Sequence, residues 1–197
     1  MIKVPCKTCG EMILPTTAAA NDGVCMPCKG GYRKGMEESR KRYEAEKAYR
    51  ETSAYRHWVW LVKQVYGDGN DHTILSDENM NFFAVNTLVG EVYNGGFDQY
   101  FHNSASDYYG NCVSGLKQIG AERSLALLLE ATNLIWNGLD VPVTQMERAL
   151  KINNINRQEA AYKNVLDNLD REFWKDEDGI NNLLSDYRNK HRLDAGF

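Results

Sequence analysis

The sequence lacks any long apolar run. Among its 197 residues, no stretch reaches the roughly 18 to 20 uncharged apolar residues that a membrane-spanning helix requires. The opening residues MIKVPCKTCG also lack the apolar segment of a signal peptide. These absences argue against a membrane or secreted protein, so we expect a cytoplasmic location. Proline is scarce as well, and 43% hydrophobic with 25% charged residues is the balance of a folded domain, which excludes extensive disorder.

Cysteine is also scarce, and four of the five cysteines form two Cys-x-x-Cys pairs. The pairs are Cys6 with Cys9 and Cys25 with Cys28, and the fifteen residues between them are typical of a four-cysteine zinc ribbon or knuckle. Four protein ligands complete a tetrahedral shell, so we predict one structural zinc ion and no catalytic metal. A redox dithiol is the less favoured alternative because it needs only one pair. Cys112 stands alone and is not predicted to bind the metal.

Acidic residues are fewer than basic residues at the start of the chain, but they outnumber basic residues in the remainder. Residues 1–56 carry 11 Lys and Arg against 7 Asp and Glu, a net of +4, whereas residues 57–197 carry 12 against 20, a net of −8. Phosphates repel an acidic body, so only the basic start of the chain is suited to direct nucleic-acid binding. There Lys29, Arg33 and Lys34 favour phosphate only slightly over a protein contact.

Strand patterns are absent outside the first thirty residues, because no later run alternates with period two over the length of a strand. We therefore predict an all-α helical bundle preceded by a small module. The predicted parts are a four-cysteine zinc ribbon at 1–31, a charged helical connector at 32–54 and an all-α domain at 55–197. The connector segment MEESRKRYEAEKAYRET has three i,i+4 ion pairs in the favourable order, namely Glu37–Lys41, Glu38–Arg42 and Glu46–Arg50.

We expect the connector helix to run on into an amphipathic segment that docks on the main domain. Its predicted apolar face consists of Tyr55, Trp58, Val59, Val62 and Tyr66, and the segment GDGN at 67–70 is predicted to end it. Ser76 is a predicted N-cap, and Thr144 with Glu147 has the spacing of a capping box. The predicted helices after Gly69 span about 76–93, 97–103, 106–119, 121–136, 144–152, 157–174 and 179–191.

The segment VYNGGFDQYFHNS, residues 92–104, interrupts an apolar helical pattern with two glycines. On a helix Phe97, Tyr100 and Phe101 share one face, so they are predicted to point into the core. The amide of Asn94 is predicted to bond exposed backbone at the helix end. We interpret the segment as a helix-turn-helix corner held by an amide network. The residues of this predicted structural motif are Asn94, Gly95, Gly96, Phe97, Gln99, Tyr100, Phe101 and Asn103.

A catalytic interpretation of the same segment is less favoured. Asp98 and His102 have i,i+4 spacing and could form an acid–base dyad, but a carboxylate and an imidazole one turn apart are common surface partners. No convincing nucleophile or open metal site accompanies them. We therefore predict that the protein is not an enzyme.

The longer segment GEVYNGGFDQYFHNS resembles the signature of the helical domain typified by DNA mimic protein nineteen, a bacterial family. The likeness spans about residues 55–192 and includes IGAERSLALLLEA and the closing LLSDYRNKH. The resemblance implies an all-α domain without known enzymatic activity. It also implies that carboxylates are presented in a DNA-like array to a DNA-binding regulator. The typical member is a single domain, so the cysteine module is a departure from the family pattern.

Two hypotheses follow. The first is an acidic inhibitor or regulator, bacterial or from a phage, that binds a DNA-binding protein by mimicking DNA charge. The partner would be a transcriptional regulator or a defence or restriction factor. The second is a zinc-ribbon adaptor that contacts nucleic acid or protein through its basic module, while the body serves as a scaffold or as a homodimerisation unit. The predicted partner-binding carboxylates are Asp98, Asp107, Asp167, Asp170, Glu172, Asp176, Glu177 and Asp178.

Overall fold

The computed structural model describes residues 2–67, 72–156 and 160–197. It divides into two compact units, Met1–Tyr55, called here the N-terminal unit, and Arg56–Phe197, called the helical unit. The predicted helix stop at Asp68, Gly69 and Asn70 and the predicted helix start at Arg157 lie outside the described residues. The three-part division at 1–31, 32–54 and 55–197 stays a prediction.

The N-terminal unit is built from very short elements around its cysteines. Strands β1, Val4–Pro5, and β2, Met12–Ile13, pair antiparallel, and the turn between them carries the first cysteine pair. Helices α1 and α2 follow, and α2 begins immediately after Cys25. Among the described residues of this unit only Cys6 and Cys25 are buried, so no hydrophobic core stabilises it. The helices of the unit are α1, Pro15–Ala20, α2, Met26–Lys29, and α3, Arg33–Arg50.

Helix α3 is the long charged helix expected from the sequence, and none of its 18 residues is buried. Of the three predicted ion pairs, the structure contains Glu46 with Arg50 at 2.5 Å. The other two glutamates pair instead with basic residues one helical turn earlier, which corrects the prediction. On an exposed helix, pairing with the residue four positions ahead and pairing with the residue four positions behind differ in free energy by only a few tenths of a kcal/mol, about what one such ion pair contributes. The observed pairs are Glu37 with Arg33 at 3.5 Å and Glu38 with Lys34 at 3.9 Å.

The predicted continuous helix from the connector into the body is wrong. Helix α3 ends at Arg50, and a new helix, α4, spans Ser53–Tyr66. The hydroxyl oxygen of Thr52 accepts a hydrogen bond from the Tyr55 backbone N–H at 3.2 Å. This N-cap satisfies a backbone donor at the start of α4, so the chain can begin a separate helix here.

The predicted apolar face of α4 is also wrong in part. The buried residues are His57, Leu61 and Val65, whereas Val59 and Tyr66 are each 47% exposed. Trp58 and Val62 of the predicted face pack only partly against the core. The sequence pattern favoured the large aromatic side chains, and a histidine was not expected at the centre of the buried face.

In the described residues the helical unit contains only helices and short 3-10 turns, which confirms the all-α prediction. Helix α5 is its centre, since it packs against α6, α8, α9 and α10 and buries twelve of its own residues. No helix of the described ranges is both long and apolar enough to cross a bilayer. The elements after α4 are a 3-10 turn His72–Ile74, α5 Asp77–His102, a 3-10 turn Ser104–Tyr108, α6 Tyr109–Ile119, α7 Glu122–Trp136, α8 Gln145–Asn156, α9 Ala160–Trp174 and α10 Ile180–His191.

Two helix starts show the capping chemistry that the sequence indicated. The Ser76 hydroxyl accepts a hydrogen bond from the Asn79 N–H at 3.3 Å at the start of α5. At the start of α8 the Thr144 hydroxyl accepts from the Glu147 N–H at 3.3 Å. The helix predicted from Ser106 begins instead as the 3-10 turn and becomes α6 only at Tyr109.

Candidate functional site

The four paired cysteines form one cluster in the N-terminal unit. Their sulfur atoms all lie within 4.8 Å of one another, and the Cys9 and Cys25 sulfurs are 3.7 Å apart. Zinc–sulfur bonds of about 2.3 Å at tetrahedral angles place sulfurs about 3.8 Å apart, so the donor set fits one zinc-sized ion. All five cysteines are free thiols, and Cys112, which lies buried in α6 of the helical unit, is not one of the four.

Hydrogen bonds favour the thiolate form of two of these sulfurs. The Cys25 backbone N–H donates to the Cys6 sulfur at 3.2 Å and is the main reason that the pKa of Cys6 is lowered to about 6. The pKa of Cys9 is lowered by the backbone N–H of Glu11 and by the Arg33 guanidinium, whose Nη2 lies 2.8 Å from the sulfur. Both sulfurs are therefore prepared to act as anionic ligands.

The last cysteine of the cluster shows why a cation is needed. Burial, together with the neighbouring sulfurs of Cys25 and Cys9, raises the pKa of Cys28 to about 12. Four thiolates so close together repel one another, and a divalent ion at their centre removes that cost. The cluster can therefore bind a metal ion, and its four sulfur ligands would fill a tetrahedral shell.

In the helical unit the two glycines of the sequence motif break α5. Gly95 has φ −156° and ψ 20°, and Gly96 has φ 79° and ψ −176°, so the helix stops and restarts at this point. Phe97, Tyr100 and Phe101 lie after the break and are fully buried on one face. The break lets the second half of α5 direct its aromatic face into the core.

Asp170 of α9 holds the restarted half of α5. Its Oδ1 accepts a hydrogen bond from the Phe97 backbone N–H at 2.8 Å and so satisfies a donor that the break leaves without an intrahelical acceptor. A Cβ on Gly96 would lie 2.2 Å from the Asp170 Oδ2, so a side chain at Gly96 would collide with this cap. The glycine is thus required both by its positive φ and by the close approach of α9.

A second hydrogen-bond network joins a residue before the break in α5 to two residues after it. The Glu91 Oε2 accepts hydrogen bonds from Gln99 Nε2 at 2.6 Å and from Asn103 Nδ2 at 2.9 Å. Asn94 is exposed, and its amide makes no hydrogen bond to any described residue, so its predicted capping role is not found. The predicted amide network exists, but a carboxylate is its centre. Glu91 belongs to the segment that carries the family resemblance, but the sequence pattern did not indicate its bonds to the amides, because helical spacing is lost across the break.

Asp107 is held by a buried arginine that the sequence pattern also missed. Arg148 of α8 is fully buried, and its guanidinium donates to the Asp107 carboxylate. This pair compensates the buried charge and ties α8 to the 3-10 turn Ser104–Tyr108. The guanidinium also donates to four backbone carbonyl oxygens, those of Phe101 at 3.2 Å, Asn103 at 3.3 Å, Pro142 at 2.9 Å and Val143 at 2.8 Å.

Two of the predicted partner-binding carboxylates cap helices. Asp178 accepts hydrogen bonds at the N-terminus of α7 from the Arg123 N–H at 3.2 Å and from the Ser124 N–H and hydroxyl, each at 2.7 Å. Asp176 accepts from the Ile180 N–H at 2.8 Å at the start of α10. Carboxylates at these positions satisfy exposed donors and interact favourably with the helix dipole.

Two further carboxylates surround one arginine. Arg123 lies 3.5 Å from Glu172 and 3.9 Å from Glu177. Glu172 also accepts from Lys175 at 2.6 Å, and this bond is the main cause of its lowered pKa. These side chains remain at the surface, but part of their charge is neutralised by the chain itself.

The remaining predicted carboxylates meet at a cleft beside the break in α5. The cleft has a volume of about 350 Å³, and Asp98, Asp167 and Asp170 line it with Gly95, Lys163 and Leu166. Asp170 is only 7% exposed, and desolvation raises its pKa despite the bond from Phe97. The charges of Asp167 and Asp98 repel that of Asp170 and raise its pKa further, whereas Arg171 lowers it. The structure thus distributes the eight carboxylates over a cleft, an arginine-centred cluster and three intramolecular contacts.

A sequence model of one protein family, described as DMP19-like protein, matches residues 74–191. The match begins at the 3-10 turn before α5 and ends at the last residue of α10, so it covers more than half of the chain and leaves the N-terminal unit outside it. Neither the curated proteins nor the solved structures include a match to the chain.

Proposed function

The chain belongs to the DMP19-like protein family, and from this membership we propose that the helical unit is a non-enzymatic acidic domain that binds a DNA-binding protein in place of DNA. The family match over α5 to α10 is the observation that carries the proposal. The partner is a transcriptional regulator or a defence or restriction factor, and the protein acts by inhibiting or regulating it.

The charge of the helical unit supports this role. Residues 57–197 carry a net charge of −8, and duplex DNA presents one negative charge per about 1.7 Å of its axis to the same kind of basic surface. The cleft adds a local argument, because the charges of Asp98 and Asp167 repel that of Asp170 there and raise its pKa. A cationic side chain of a partner would relieve this repulsion, so the cleft favours a basic occupant.

The proposed binding surface is narrower than the eight carboxylates predicted from the sequence. Asp107, Asp170, Asp176 and Asp178 accept hydrogen bonds that hold the fold, so we assign them a structural role. The proposed surface consists of Asp98 and Asp167 at the cleft, with Glu172 and Glu177 beside Arg123.

Capture from the native cell, followed by competition with DNA, tests the proposal. Proteins retained by the full chain are identified and then challenged with duplex DNA, and we expect a DNA-binding protein that duplex DNA displaces. The double variant D98K/D167K should lose this partner, and the affinity of the parent should fall with salt. The matched control E130K/D186K makes the same change in net charge at exposed positions of α7 and α10 and should retain the partner. A retained partner that DNA does not displace would contradict the mimic function.

We further propose that the metal of the cysteine cluster is zinc and that its role is structural. The sulfur spacing and the absence of an apolar core in the N-terminal unit support this. Free thiolate ligands need a reducing compartment, which favours the cytoplasm. Metal analysis of the purified protein should find one zinc per chain. A full equivalent of tightly bound zinc in C9S would contradict the assignment.

The exposed helix of the N-terminal unit favours a second candidate function, an adaptor that contacts nucleic acid or protein. Helix α3 has no buried residue, and Tyr43 on it is 68% exposed. The unit, residues 1–55, carries 10 Lys and Arg against 7 Asp and Glu, a net of +3. Arg33 is already bonded to Cys9, so Lys29 and Lys34 are the residues to test. Salt-sensitive binding of labelled nucleic acid that is lost in K29Q/K34Q, with D98K/D167K harmless, would favour the adaptor over the mimic.

A further inference from the structure

Arg33 connects the cysteine cluster to the first turn of α3. It is the first residue of that helix, and its side chain is 21% exposed. One guanidinium nitrogen, Nη2, donates to the Cys9 sulfur at 2.8 Å. The same side chain lies 3.5 Å from Glu37 on α3 and 3.8 Å from Glu11 next to β2. A single residue therefore contacts the ligand turn, the hairpin and the helix.

The contact with Cys9 has the chemistry of metal-ligand support. Four thiolates around a divalent ion leave a net charge of −2, and a cation bonded to one of the sulfurs reduces it. Across the described residues of the N-terminal unit, Arg33 is the one cationic side chain with a hydrogen bond to a cysteine sulfur. Charge-assisted hydrogen bonds are roughly twice as strong as neutral ones. The several N–H groups of one guanidinium can donate to a sulfur and to a carboxylate at the same time.

We propose that Arg33 is a positioning residue of the metal centre, which holds the Cys9 sulfur and thereby makes metal binding and the start of α3 depend on each other. The inference rests on the proposed zinc site but not on the proposed DNA mimicry. Because no residue of α3 is buried, packing does not stabilise this helix, and an anchored first turn matters more than in a packed one.

The neighbouring residue supplies a matched control. Lys34 makes an ion pair of the same i,i+4 spacing with Glu38 at 3.9 Å, but its side chain is 90% exposed. Replacing either residue by glutamine removes one positive charge from the first turn of α3. Only the Arg33 change removes a hydrogen bond to a ligand sulfur, so the pair separates metal support from general helix electrostatics.

The test compares R33Q, R33K and K34Q in the full chain. Zinc affinity is measured by competition with a chromophoric chelator, and the sulfur-to-metal charge-transfer bands are recorded after cobalt substitution. Loss of an outer-shell partner usually lowers metal affinity by about 10-fold to 100-fold, and we expect R33Q to fall in that range. K34Q should stay within about two-fold of the parent, and R33K should lie between them. The bands of R33Q should shift, whereas those of K34Q should superimpose on the parent.

The coupling to α3 has its own readout. Trypsin sites at Arg40, Lys41 and Lys47 lie on the helix, so their cleavage rates report its opening. Chelation should accelerate this cleavage in the parent, and R33Q should be cleaved faster than K34Q even when loaded with zinc. R33Q with parental zinc affinity and an unshifted cobalt spectrum would overturn the proposal.

Two other outcomes are also decisive. If R33Q takes up no metal, the R33K variant tests the proposal instead. Measurable metal binding by R33K would support the charge-assisted bond, whereas metal binding as weak as that of R33Q would contradict it. A parent protein that binds neither zinc nor cobalt tightly would remove the metal site itself. Neither outcome changes the result of the DNA-competition experiment on the helical unit.

Discussion

The N-terminal unit buries two described residues, both of them cysteines, whereas the helical unit buries a cluster of 29 hydrophobic residues. The described residues of the first unit lack the apolar area that offsets chain entropy, so we expect its fold to depend on the proposed metal. The second has such a core, and its polar contacts determine the details of the packing. An arginine therefore has different partners in the two units, since Arg33 bonds a cysteine sulfur and Arg148 bonds backbone carbonyl groups.

Removal of the metal should separate the two units most strongly. In C9S, or in the parent after chelation, we expect the N-terminal unit to lose its tertiary structure because nothing else fills its centre. A fragment that starts at Thr52 keeps the cap of α4 and should retain its far-ultraviolet circular dichroism in chelator. Cooperative loss of the whole helical signal on chelation of the full chain would show that the units are not independent.

Loss of Arg148 should give the largest effect within the helical unit. R148M leaves Asp107, whose side chain is 39% exposed, and four backbone carbonyl groups without their donor. Each buried acceptor left unsatisfied costs about 1 to 3 kcal/mol. R171M removes an exposed arginine that donates to Asn168 at 2.5 Å and should change the free energy of unfolding by less than about 0.5 kcal/mol. Denaturant unfolding of both variants checks this order, and equal midpoints would contradict it.

Replacing two glycines of α5 by alanine should change the free energy of unfolding in opposite directions. G96A places a side chain at positive φ and against Asp170, which should cost about 1 to 3 kcal/mol. Gly90 has open space at its Cβ position within the same helix, so G90A should stabilise the protein by about 0.5 to 1 kcal/mol. Thermal melts of the two variants measure the difference. Destabilisation by both would mean that the helix before the break is not regular.

The two amides of the motif should differ as well. Q99A removes a donor to the carboxylate of Glu91 and should cost about 1 to 2 kcal/mol. N94A changes an exposed side chain and should stay within about 0.5 kcal/mol of the parent. Equal losses in urea unfolding would restore the capping role first predicted for Asn94. A variant that melts like the parent but loses the partner would instead place Gln99 on the binding surface.

The smallest effect concerns His57, which is fully buried in α4 with Asn79 bonded to its Nε2 at 2.7 Å. Burial lowers the pKa of His57, although Asn79 and Asp194 oppose this and Arg188 adds to it. The neutral ring therefore contributes stability that is complete above about pH 6.5 and is lost as the pH falls through the folded pKa. H57F should flatten the pH dependence of stability over that window, and an unchanged slope would contradict it.

The parts of this fold that depend on local chemistry could be predicted from the sequence. The spacing of Cys6, Cys9, Cys25 and Cys28 indicated the cluster, and the caps at Ser76 and Thr144 indicated helix starts. Contacts between distant segments could not be predicted. The bond from Phe97 to Asp170 joins residues 73 positions apart, and only the fold brings them together.

The exposure and contacts of polar and charged side chains were the least predictable property of the structure. A carboxylate in a sequence does not reveal whether it faces solvent or caps a helix, and Asp176 and Asp178 do the latter. Arg148 and His57 were missed for the converse reason, since polar side chains are usually exposed and their burial depends on partners from other helices.

The repulsion at the cleft has a consequence for how the acidic residues evolve. Selection for folding alone keeps Asp176 and Asp178, because their loss would expose helix ends. Asp167 is under the opposite pressure, since its charge raises the pKa of buried Asp170 and opposes its ionisation. Without a binding partner, a neutral residue at position 167 should therefore be tolerated. Retention of the repelling carboxylate across relatives, more than the total negative charge, would be the evolutionary record of a cationic partner.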